Sequence, residues 1–120
     1  MKKYGYADEV LNPLYSCLLK QESGMEDLVL CFMERLPSMF DAIALSHQQS
    51  DWPVLTRQVH DMKSVGGGYG YPQISEVSSR IEYALQQDTS QIAYLIQELE
   101  VICMRALQGA DTINQVKQQA

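Results

Sequence analysis

Residues 55–69 read LTRQVHDMKSVGGGY, and within them Leu55, Val59, Met62, Gly66 and Tyr69 step by 4, 3, 4 and 3. That step is one face of an α-helix, and it excludes the strict alternation of a half-buried strand. Thr56, His60, Lys63, Ser64 and Gly67 fall on a different side of the same helix. Upstream, Ser50-Asp51-Trp52-Pro53 is a start signal, an Asp or Ser cap followed by a proline whose missing amide is harmless in the first turn. Downstream, Gly70-Tyr71-Pro72 breaks the helix, and Ile74, Val77, Ile81 and Leu85 mark the inner face of the next.

The same helical step continues towards both termini. After Asp88-Thr89-Ser90, the residues Ile92, Leu95, Leu99, Ile102 and Ala106 predict a last helix that frays past Gly109 into a Gln-rich tail. Ser23-Gly24-Met25-Glu26 has the S-x-x-E spacing of a capping box, opening a long helix with the stripe Leu28, Phe32, Leu36, Met39 and Ile43. Pro37 within it predicts a bend, and the helix should fade near His47 to Gln49. Leu11, Leu14, Tyr15 and Leu18 share a helical face, but Asn12-Pro13 makes that first helix short or broken. No stretch has strand-like alternation, so the fold class is all-α. Four substantial amphipathic helices with short links predict an antiparallel up-and-down four-helix bundle with an additional short N-terminal helix. The expected organisation is an N-terminal helical extension over 1–22, the bundle over 23–108, and a helix end or frayed tail over 109–120.

The chain has 120 residues, 46% of them hydrophobic and 20% charged, which is one globular domain's worth of chain. Nine Lys plus Arg against fifteen Asp plus Glu give a net charge of −6, which repels phosphate backbones and anionic headgroups. Nucleic acid and membrane surfaces are therefore excluded as expected partners. Cys17, Cys31 and Cys103 form no CxxC pair and read as small buried hydrophobes, so neither a disulfide framework nor a metal site is expected. No apolar run approaches the roughly 18 residues of a membrane span, and MKKYGYADEV lacks the apolar stretch of a signal peptide. A cytoplasmic, monomeric protein is the expectation.

Gly66, Gly67, Gly68 and Gly70 depart from what a packing helix wants, since each costs about 1 kcal/mol against alanine in a helix interior. Two readings are open: a helix end running into a turn, or bare backbone that lets another molecule come close. Lys63 lies three residues beyond His60, and Ser64 and Gly67 lie one and two turns beyond it. A dianionic phosphoryl group on the imidazole would thus have an ammonium beside it and open space above. Lys-Ser-Val-Gly-Gly-Gly runs opposite to a P-loop, so no ATP seat is recognisable.

His60-Asp61-Met62-Lys63-Ser64 followed by Gly67 and Gly70 resembles the H-x-L-K-G-x-x-x-x-x-G signature of histidine phosphotransfer (HPt) domains. Asp51-Trp52 with Leu55, the Gly70-Tyr71-Pro72 turn and Arg80-Ile81-Glu82 extend the resemblance over about residues 23–108. Met62 and Ser64 stand where the family usually has Leu and Gly. Met for Leu is nearly volume-neutral. Ser64 either narrows the room for a partner or donates a hydrogen bond to the phosphoryl group.

The resemblance implies that His60 accepts a phosphoryl group from an aspartyl phosphate on a response-regulator receiver domain and passes it to another receiver's Asp. A hybrid sensor histidine kinase is a further implied partner. Lys63 would balance charge, and Glu82 would orient the imidazole, although a solvated helix carboxylate is its plain alternative. Thr56, Arg57, Ser64, Gly67 and Gly70 would border the approach of partner and phosphate. Arg57 and Lys63, three residues to either side of His60, are cations that favour a neutral ring. No cofactor of the chain's own is implied, Mg²⁺ belonging to the receiver, and the chain would carry phosphate without kinase activity. The competing reading is a helical interaction module that binds receivers without phosphotransfer.

Overall fold

The computed structural model describes residues 12–21 and 24–119. Helix α1 is a single turn, Leu18–Gln21, followed by α2 Glu26–Gln48, α3 Trp52–Gly68, α4 Pro72–Gln87, a 3-10 turn Thr89–Gln91 and α5 Ile92–Gln119. No strand occurs among the described residues. The four long helices close a ring: α2 packs on α3, α3 on α4, α4 on α5, and α5 back on α2.

The core between them is built from Val29, Phe32, Leu36 and Ile43 of α2, Leu55, Val59 and Met62 of α3, Ile74, Val77 and Ile81 of α4, and Ile92, Leu99 and Cys103 of α5. Each large apolar side chain in this set contributes about 1.5–3 kcal/mol by leaving water. Pro53 and Pro72 stand in the first turns of α3 and α4, where no amide is needed. Asp88 caps the 3-10 turn, its Oδ1 accepting from the Ser90 amide at 3.1 Å.

Several expectations change. The α2 stripe is rotated by one residue at its start: Val29 is buried and Leu28 is 48% exposed, while Met39 is only partly buried. Tyr69 and Leu85 likewise pack at the margin of the core. Ser23 lies outside the described residues; Met25 occupies the α2 cap with no side-chain cap bond, and Glu26 and Asp27 offer acid to the helix dipole instead. Asp51 caps α3 without a side-chain bond. Pro37 sits inside α2 without ending it.

Among its described residues the N-terminal extension is helical only over α1. Leu11 lies outside the described residues, and residues 12–16 form no helix. They run as a strap tied by backbone bonds from the Leu14 amide to Arg105 O and from the Cys17 amide to Gly70 O. Arg105 Nε donates to Asn12 O at 2.7 Å, and Ser16 Oγ donates to Tyr69 O. Leu14 is thereby buried, while Tyr15 stays exposed.

Helix α5 does not fray at Gly109 but continues to Gln119, with Ala110 and Ile113 joining the core. Gly109 is small because Leu14 O presses against it, where a Cβ would collide. Of the cysteines only Cys103 is buried, and Cys17 and Cys31 are exposed. Among the described residues no helix is long and apolar enough to cross a membrane.

Candidate functional site

His60 projects from the middle of α3 on the side away from Leu55, Val59 and Met62, and its side chain is 64% exposed. Its Nδ1 lies 2.8 Å from Glu82 Oε2, contributed by α4. A carboxylate can only accept, so Nδ1 carries a proton, and in the neutral ring the lone pair is then on Nε2. The oxygen at the other end of the same carboxylate, Oε1, accepts from Lys63 Nζ at 3.0 Å. Glu82 therefore holds the imidazole and the ammonium together, although 22 residues separate it from His60.

Glu82 is 21% exposed in its side chain and Lys63 is 40% exposed. Burial works to raise the carboxyl pKa of Glu82, but hydrogen bonds from His60 and Lys63, with the Lys63 charge, outweigh it and hold the group below the usual carboxylate range. The ring thus meets the carboxylate directly, and the Lys63 cation reaches it only through that carboxylate. Glu82 is bonded at both oxygens, by His60 and Lys63, and is not held by solvent alone.

The bordering residues divide. Thr56, Arg57 and Asp61 line one depression with His60 and Glu82. Thr56 Oγ1 donates to Trp52 O at 2.8 Å, so its proton is already engaged by its own helix. Ser64 is exposed, and no hydrogen bond occupies its hydroxyl among the described residues. Gly67 is exposed, and a Cβ there would meet only Ser75 at 3.6 Å or more.

Gly70 is different. It has φ +86° and is buried under the strap, where a Cβ would strike Ser16 Oγ and the Cys17 and Leu18 amides. Its place among the residues bordering a partner is corrected: backbone conformation and intramolecular packing account for this glycine. Gly66 is equally structural, since a Cβ would stand 2.6 Å from Ile74 Cγ2. Sequence periodicity carried no signal for that contact, which joins two helices.

Among the described residues no group of three His, Cys, Asp or Glu side chains could hold a metal ion. The Hpt domain family model matches residues 27–119. The chain belongs to the Hpt domain family, the histidine phosphotransfer modules of two-component phosphorelays. Comparison with curated proteins and with solved structures found no match.

Proposed function

We propose that this chain is a phosphoryl carrier in which His60 Nε2 takes a phosphoryl group from a receiver domain's aspartyl phosphate and yields it to another receiver's Asp. The observation that carries this reading is the Nδ1 contact to Glu82, which leaves the nucleophilic nitrogen facing solvent. In the forward step the donor's acyl O–P bond breaks, its carboxylate leaves with the electron pair, and the Nε2–P bond forms. The Nδ1 proton stays between the ring and Glu82, so the positive charge that develops on the ring is met by a carboxylate. Positioning of this kind suits phosphoryl transfer, whose loose transition state asks little covalent chemistry of the protein.

Glu82 orients the ring, and Lys63 acts on it through that carboxylate. The partners are receiver domains, with Mg²⁺ bound on their side, and a hybrid kinase as a source of phosphate. The chain works as a cytoplasmic monomer without a cofactor or kinase activity of its own. An antiparallel bundle is supported by the α3–α4 register: Gly66 meets Ile74 while His60, earlier on α3, meets Glu82, later on α4.

Incubation with a receiver charged by acetyl phosphate tests the reading. An acid-labile, alkali-stable phosphate should appear on wild type and not on His60→Gln. Receiver binding without any such label would favour the interaction module.

A further inference from the structure

Two cations flank His60, and the structure treats them differently. Lys63 Nζ is bonded to Glu82 Oε1, on the far side of the carboxylate that holds the ring. Arg57 is exposed, makes no hydrogen bond or ion pair among the described residues, and lines the same depression as His60, a depression to which Lys63 does not contribute. Helical side chains lean towards the N-terminus of their helix, so the imidazole of residue 60 covers the turn that holds residues 56 and 57. Of the other groups there, Thr56 has its proton on Trp52 O, and Asp61 is an anion.

We propose that Arg57, and not Lys63, is the cation that meets the phosphoryl oxygens on His60 Nε2. This assignment rests on His60 being the phosphoacceptor. A guanidinium is suited to the task because its planar fork can engage two oxygens at once. Moving Lys63 to the phosphoryl group would instead strip Glu82 of one of its two partners. The arrangement splits the work: Lys63 and Glu82 hold the ring, and Arg57 neutralises the group that the ring receives.

Phosphoramidate provides the test, because it labels the protein with no receiver docked. Its P–N bond breaks to release ammonia as the Nε2–P bond forms, so the rate reads the phosphoryl contact alone. Arg57→Gln should label roughly tenfold more slowly than wild type, Arg57→Lys should recover part of that loss, and Lys63→Gln should lose less than Arg57→Gln. The ³¹P resonance of the phosphorylated protein should move in Arg57→Gln. An unchanged rate in Arg57→Gln, or a loss in Lys63→Gln that equals or exceeds it, overturns the assignment. Label persisting on His60→Gln would instead overturn the phosphoacceptor reading, which keeps the two failures apart.

Discussion

Replacing Gly66 by alanine and replacing Gly68 by alanine add the same methyl group to the same helix, two residues apart, and should move stability in opposite directions. At Gly66 the new Cβ would lie 2.6 Å from Ile74 Cγ2, 2.8 Å from Ile74 Cβ and 3.3 Å from the Ser75 amide. Carbon atoms prefer about 3.5–4.0 Å, so about 1 Å of overlap has to be relieved. Ile74 is fully buried and β-branched, which leaves it few rotamers to retreat into. Overpacking of this kind costs about 1–3 kcal/mol, against which alanine's helix propensity returns about 1 kcal/mol. A 2.6 Å approach to a stiff, fully buried neighbour places this site in the upper part of that range, about 2–3 kcal/mol, so the net loss is about 1–2 kcal/mol, or roughly 3–10 °C in Tm for a chain of this size.

At Gly68 nothing lies within 4 Å, and only the propensity gain remains. Gly68→Ala should raise Tm by roughly 2–5 °C. Thermal melts followed by circular dichroism at 222 nm, with urea titrations for ΔG, measure both variants. A Gly66→Ala protein that melts at or above wild type would refute the reasoning, because it would mean that α3 and α4 can part at no cost.

Three further outcomes follow from particular groups. Among the described residues the buried Tyr71 hydroxyl has no hydrogen-bond partner, and burial pushes its pKa up to about 12, so Tyr71→Phe should leave stability unchanged or raise it by about 1 kcal/mol, read by urea titration. Because its partners lower the Glu82 pKa in the folded state, the stabilisation it brings is fully present above its unfolded pKa and lost as pH falls through the folded one. The gap in ΔG between wild type and Glu82→Gln should therefore be full above roughly pH 5 and shrink as pH falls below the range of an unfolded carboxylate. Of the three thiols, Cys17 and Cys31 should react rapidly with Ellman's reagent, whereas Cys103, buried and with its pKa raised by that burial, should react only as fast as the bundle opens.

The helices were legible because their signal is local. Apolar steps of three and four located α2 to α5, and Pro53 and Pro72 marked two of their starts. His60 and Lys63 were legible for the same reason, since one turn of helix makes them neighbours. What local periodicity cannot carry is the partner of a contact between elements. A stripe of apolar residues is wide enough that Leu28 and Val29 both fit it, and only the placement of the neighbouring helices decides that Val29 goes in. Nothing in Leu14 announced that it would lie on α5 against Gly109, and α5 stays helical where that glycine suggested an end. Glu82 could be matched by resemblance, but its grip on Lys63 as well as His60 required both helices in place.

The glycines of residues 66–70 bring these strands together. As sequence they form one anomaly, with two competing explanations. In the folded chain they separate into different causes: Gly66 lets α4 approach, and Gly70 takes a left-handed backbone beneath the strap. A close α3–α4 approach is also what allows a glutamate on one helix to reach an imidazole on the other at 2.8 Å, since a side chain of that length spans only a few ångströms. Gly66 therefore serves the site indirectly, by setting the spacing over which Glu82 must reach. Gly67 and Gly68 answer to neither demand: both are exposed, and a Cβ at either would make at most ordinary contact. The case for backbone left bare so that a partner can approach thus narrows to these two positions, of which only Gly67 shares the helix side of His60.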